Sequence, residues 1–172
     1  PTVVSSATME LVSQWFGLDV NETRRRFRAN LEISKWDVFH EESLLAGDGN
    51  AVSFSIGNVE MEGLAPCPRC SVPARDSYTG ESEAGFTENF IAHREETLPE
   101  WMDRSYFKHL NCLSVRTRVC HVDGNARLAI GDELHVGEVR TDIEIPKPYG
   151  HFQERLDEAV RLTEDSIHGG HF

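Results

Sequence analysis

The sequence predicts a mixed but mainly β fold, an antiparallel barrel-like sheet with a few peripheral helices. Three observations lead there. Leu113 to His121 alternates between apolar and polar residues, with Leu113, Val115, Thr117 and Val119 on one face. Val52 to Met61 reads as two short strands about a Gly57-Asn58 hairpin turn. Turn clusters then recur roughly every eight to twelve residues, the spacing of an antiparallel sheet or barrel.

Taken in order, residues 7–17 fit a helix. Met9, Leu11, Val12, Trp15 and Phe16 share one side, Ser6 or Thr8 is placed to cap it, and Gly17 follows it. From Arg26 to Ile33 the alternation is strict. Phe27, Ala29, Leu31 and Ile33 point one way, while Arg26, Arg28 and Asn30 point the other, as in a half-buried strand. Gly47 to Asn50 is a turn. The hairpin leads into Ala65-Pro66-Cys67-Pro68-Arg69-Cys70, and three prolines at 66, 68 and 73 predict a rigid loop. Asp76 to Glu81 is a turn, which Asp76 is placed to cap. A helix is expected over 83–96, stopping before Pro99, with His93 on its surface. Further strands are expected at 126–130 and 133–136, after an Asp123-Gly124-Asn125 turn. Residues 151–167 carry a helical stripe of Phe152, Leu156, Ala159, Val160 and Ile167, set off by Pro146 and Pro148. The expected organisation is one domain over 1–145 and a helical appendage with a frayed tail over 146–172. His168 and His171 in that tail are not read as metal ligands.

Composition bounds the function. The 172 residues carry a net charge of -12, which disfavours nucleic acid and anionic membrane as partners. No apolar run approaches the roughly 20 residues of a membrane span, and the first residues do not read as a signal peptide. A cytoplasmic setting with reduced thiols is therefore expected. Against the acidic whole, Arg24, Arg25, Arg26 and Arg28 form a local basic block suited to a small anion. Their strand face is either a solvated surface or a donor set for a phosphate and a heterocycle.

Cys67-Pro68-Arg69-Cys70 is by spacing half a zinc site, a redox dithiol or a packing pair. Cys112 and Cys120 complete no compact zinc knuckle and read as strand thiols. Pro73 argues against the helix a thioredoxin-like motif would open. There is no Gly-x-Gly-x-x-Gly fingerprint, no iron–sulfur cysteine set and no nucleophile triad in the sequence.

Four pieces taken together resemble the MOSC domain, the C-terminal domain family of molybdenum cofactor sulfurases. They are Arg26-Phe27-Arg28-Ala29-Asn30, then Pro66 to Cys70, then Val72 to Asp76 with Thr79-Gly80-Glu81, then Ile130 to Leu134. Ala29 stands where the family has proline. The resemblance implies a β-barrel fold and a site for a molybdopterin-type cofactor. It implies Cys70 as the molybdenum ligand and catalytic thiol, with Arg28, Asn30, Pro68 and Arg69 against the cofactor. Arg26 offers a further fork for the pterin phosphate, and Arg75 a cation near the thiol. The implied chemistry is a reduction or oxo-transfer at the metal, with electrons from a partner protein. The alternatives are a sulfur carrier with a persulfide on Cys70, resolved by Cys67 and fed by a sulfur donor, and a non-catalytic binding module.

Overall fold

The computed structural model describes residues 1–47, 49–121, 124, 126–141 and 143. The expected helix over 151–167 and the whole 146–172 appendage lie outside the described residues. So do Asp48, Asp123 and Asn125 of two expected turns.

Strand β1 (Thr2–Ser5) runs directly into helix α1 (Ser6–Trp15). The helix is capped by Ser5, whose Oγ accepts the Thr8 N–H at 3.0 Å. The expected caps, Ser6 and Thr8, are not used. Ser5 has the extended backbone an N-cap needs, and the Thr8 hydroxyl is committed to Phe39 N at 2.7 Å and Glu41 Oε2 at 3.0 Å. Helix α2 (Val20–Phe27) and strand β2 (Leu31–Ile33) follow, then the hairpin of β3 (Ala51–Ile56) and β4 (Val59–Pro68). Only the first of its two loop positions has positive φ, the type II′ pattern, which is why Gly57 leads Asn58. Helix α3 (Phe86–Thr97) ends before Pro99 as expected. His93 on α3 is half-buried rather than a free surface residue, its ring stacked on Trp15 at 4.9 Å. Strands β5 (Cys112–His121) and β6 (Leu134–Arg140) complete the described chain.

The six strands are ordered β2-β1-β5-β4-β3-β6. β1 and β2 are parallel, and every other pairing is antiparallel. The fold is therefore mainly β with helices at its periphery, but the described strands form an open, mixed sheet and not a closed antiparallel barrel. β2 and β6 are its free edges. The mixed character comes from β1, too short to show a period in sequence, which enters the sheet between β5 and the parallel edge strand β2 that follows α2.

Both faces of the sheet are buried near β1. Val3 joins one apolar cluster with Leu44, Phe54, Met61 and Val115. Val4 joins the other with Met9, Phe27, Phe90 and Leu113. Leu113 and Val115, expected on one face, lie in different clusters. Between them Ser114 has φ +69, and the β4–β5 register slips there, Leu113 and Ser114 of β5 facing the single Cys67 of β4. The extra residue turns the strand over.

Two further expectations are corrected. The proline-rich run is not a loop from the start, because β4 continues through Pro66, Cys67 and Pro68. Past Gly63 it has β5 on one side only, so the missing proline donors leave no ladder open. The expected strand at 126–130 is irregular chain, in which the Asp132 carboxylate takes the Ala129 N–H at 2.8 Å.

Candidate functional site

Asp19 caps α2, its carboxylate accepting the Asn21 N–H at 2.9 Å. Glu22 stands in the first turn and Arg24, Arg25 and Arg26 in the last, the arrangement the helix dipole favours. Arg28 then takes the left-handed conformation that stops the helix, with φ +54 and its N–H on Arg24 O at 2.8 Å. The expected strand over 26–30 is thus a helix end and a turn. The apolar period of 27, 29, 31 and 33 spans three different conformations.

This changes what each cation does. Arg26 is 6% exposed. Its Nε donates to Glu22 Oε1 at 2.7 Å, and its two Nη atoms lie 3.6 Å from Asp76 and 3.5 Å from Glu83. Its charge is consumed by three carboxylates. Burial pushes the Glu22 carboxyl up, but hydrogen bonds from Arg26, Ser77 and Arg25 outweigh it and hold it down at about 2. Asp76 caps its own turn, accepting from Tyr78 N and Thr79 N at 3.0 and 2.8 Å. Arg28 is exposed and has no ion pair among the described residues.

Beside Arg28 the sheet leaves an open cavity of about 470 Å³, lined by Arg26, Phe27, Arg28, Cys67, Pro68, Arg69, Cys70, Val72 and Pro73. Six of the seven residues singled out from the sequence are accounted for by this cavity or its neighbour. Cys70 is exposed at its wall and Cys67 is half-buried beside it. Asn30 faces the adjacent cavity, about 820 Å³, between β2 and the 128–134 segment. Its Oδ1 accepts from Thr2 N at 2.9 Å. Arg75 lines neither cavity; it is exposed and donates to Gly80 O at 3.0 Å, closing the 75–82 turn.

Arg69 is the fixed cation of the site. Its backbone is clasped to Asn111 by two hydrogen bonds of 2.9 Å. Its guanidinium lies over the Phe27 ring at 5.5 Å, donates to Ser114 Oγ at 3.3 Å and reaches Cys67 Sγ at 3.8 Å. Its Nε is buried without a partner. Burial pulls its pKa down from the ordinary arginine value. Behind the wall, Cys112 is buried, its Sγ donating to His109 O at 3.3 Å, and burial pushes that thiol up to about 12. Cys112 is thus inert packing. Phe27, Asn111 and Ser114 are parts of the site that sequence patterns did not single out. Ser114 in mid-strand carries no turn signal, and Asn111 acts through its backbone partner.

The site thus sets an accessible thiol beside two guanidiniums that have no ion pair among the described residues, on an open, mainly β sheet. The family model of the MOSC domain matches residues 2–135, and the chain belongs to the MOSC domain family. Among curated proteins it is similar to a molybdenum cofactor sulfurase of Caenorhabditis elegans, 28% identical over 81 residues. That match spans 47% of this chain and 10% of the relative. Among the described residues no helix is long and apolar enough to cross a membrane.

Proposed function

We propose that the Cys70 cavity is a site for a molybdenum–pterin cofactor, with Cys70 as the single protein ligand to the metal. The observation that supports this most is a reachable thiol set beside two guanidiniums, Arg28 and Arg69, that have no ion pair among the described residues, in a chain of net charge -12.

The residues fit such a group. A thiolate is a soft ligand suited to a metal with sulfur partners. The buried, unpartnered Arg69 Nε is a donor waiting for an acceptor. Among the described residues no cluster of three or more His, Cys, Asp or Glu could hold a metal by itself. The protein therefore offers one sulfur, and the pterin's own sulfurs would complete the shell. When bound, the cofactor supplies redox or sulfur-atom chemistry at the metal. Arg28 and Arg69 would balance its negative charge, and Pro68 fixes the backbone between the two cysteines. Arg28 and Asn30 are placed to contact different parts of one elongated ligand, since they line neighbouring cavities. Arg26 would act only by holding the helix end that aims Arg28. As an oxidoreductase the domain takes electrons from a partner protein, because the chain carries no dinucleotide fingerprint.

A second reading is a sulfur carrier with a persulfide on Cys70, charged by a donor protein. It is favoured by the similarity to a protein named for cofactor sulfuration and by the exposure of Cys70. Native mass spectrometry of protein from a molybdenum-replete host separates the two. A bound pterin with molybdenum supports the first, and a gain of about 32 Da on Cys70 that cyanide removes supports the second. A bare chain from that host contradicts both.

A further inference from the structure

Two thiols line the wall of the same open cavity, Cys67 half-buried and Cys70 exposed. They are separated by Pro68 and Arg69. β4 ends at Pro68 and the chain bends from Ser71 onward, so the run between the cysteines is where the strand gives way to a turn. Arg69 reaches back to Cys67 Sγ at 3.8 Å while Ser114 and the Phe27 ring hold its guanidinium still. Ser114 holds that place through a left-handed mid-strand conformation, a strained one for a residue with a side chain. The other two cysteines are elsewhere. Cys112 is buried behind the wall, and Cys120 lies toward the far end of β5 beside Glu62.

We propose that Cys67 and Cys70 form a reversible disulfide that caps the Cys70 sulfur, with Arg69 as the positioning residue that holds Cys67 toward it. The oxidant is a hydroperoxide. The exposed Cys70 sulfur attacks one peroxide oxygen; an S–O bond forms, the O–O bond breaks, and water leaves. The Cys67 sulfur then attacks the Cys70 sulfenic acid; the S–S bond forms, the S–O bond breaks, and a second water leaves. Two thiols and one hydrogen peroxide thus give one disulfide and two waters, and a dithiol reverses the change. The pair makes this wall oxidation-sensitive whenever no metal occupies the Cys70 sulfur, so the proposal is tested on the metal-free chain and does not rest on the cofactor reading.

The test is hydrogen peroxide added to the purified full-length chain, read by mass spectrometry under denaturing, alkylating conditions. Wild type is expected to lose about 2 Da and two of its four alkylatable thiols. Trypsin cuts after Arg69, so the disulfide would appear as peptide 36–69 joined to peptide 70–75. Cys67→Ser is expected to show no such loss and to leave a Cys70 sulfenic acid that dimedone traps. Arg69→Lys keeps all four thiols but is expected to form the disulfide about tenfold more slowly, matching one lost charge-assisted hydrogen bond. Oxidation of wild-type Cys70 straight to sulfinic acid, or a disulfide through Cys112 or Cys120, overturns the proposal. Wild-type kinetics in Arg69→Lys overturns the role of Arg69.

Discussion

Arg26 and Arg28 sit two positions apart and carry opposite burdens. Arg26 is buried against Glu22, and removing it takes the buried partner from Glu22 and the shared cation from Asp76 and Glu83. Arg26→Ala is therefore expected to lower unfolding free energy by about 3 kcal/mol in denaturant titrations. Arg28→Gly removes a guanidinium without backbone cost, since glycine accepts the φ of +54. Its stability should stay within about 0.5 kcal/mol of wild type, while pterin retained through purification falls about tenfold, as for one lost charge-assisted contact. The opposite pattern, Arg26 tolerant and Arg28 structural, contradicts this division. A second residue-scale effect comes from Glu41, 1% exposed and hydrogen-bonded to Thr8. Burial, aided by the neighbouring Glu42 charge, lifts its carboxyl from 4.5 to about 7 against its own backbone hydrogen bond. The folded state then binds more protons than the unfolded one between those values, so stability from this group falls as pH rises from 4.5 to 7. Glu41→Gln is always neutral. It should match wild type below pH 4.5 and exceed it by about 3 kcal/mol at pH 8 in chemical denaturation.

Helix α2 is the element on which the basic block depends. Asp19 caps its start, and Arg28 in the left-handed conformation ends it, so the helix carries the cations of its last turn up to Arg28. Asp19→Ala is expected to cost about 1 kcal/mol in a thermal or denaturant melt. The same element shows where sequence periodicity misleads. Arg26 to Ile33 alternates faultlessly, yet Glu22 and Arg26 one helical turn apart, with an Asp19 cap, decide for helix. The hairpin of β3 and β4, helix α3 and strand β5 were legible, because each carries its own local signal in a turn residue, a proline stop or a long alternation. Strand β1 was not, being four residues whose partners come from Leu31–Ile33 and β5. Nor was the Ser114 bulge, which arises where β4 and β5 fall out of step. Of the site, the Cys67–Cys70 wall was readable because its members are adjacent in sequence. Arg75 was drawn in by proximity in the chain, yet its side chain turns to Gly80.

At the scale of the molecule, six strands wrap two apolar clusters and leave β2 and β6 unpaired with one another. β2 and the 128–134 segment that leads into β6 line the larger cavity, and Arg28, two residues before Asn30, lines the other. Against the -12 net charge, Arg28 and Arg69, without an ion pair among the described residues, are a local exception, and on the proposed reading they would draw an anionic ligand to this one place. The proposed function stands on Cys70 holding a metal. The direct measurement is the molybdenum-to-protein ratio, by elemental analysis, of wild type and Cys70→Ser purified side by side from a molybdenum-replete host. A wild-type ratio near one with the variant below about a tenth of it is the predicted result. Equal ratios in the two proteins, or no molybdenum in wild type, would contradict it.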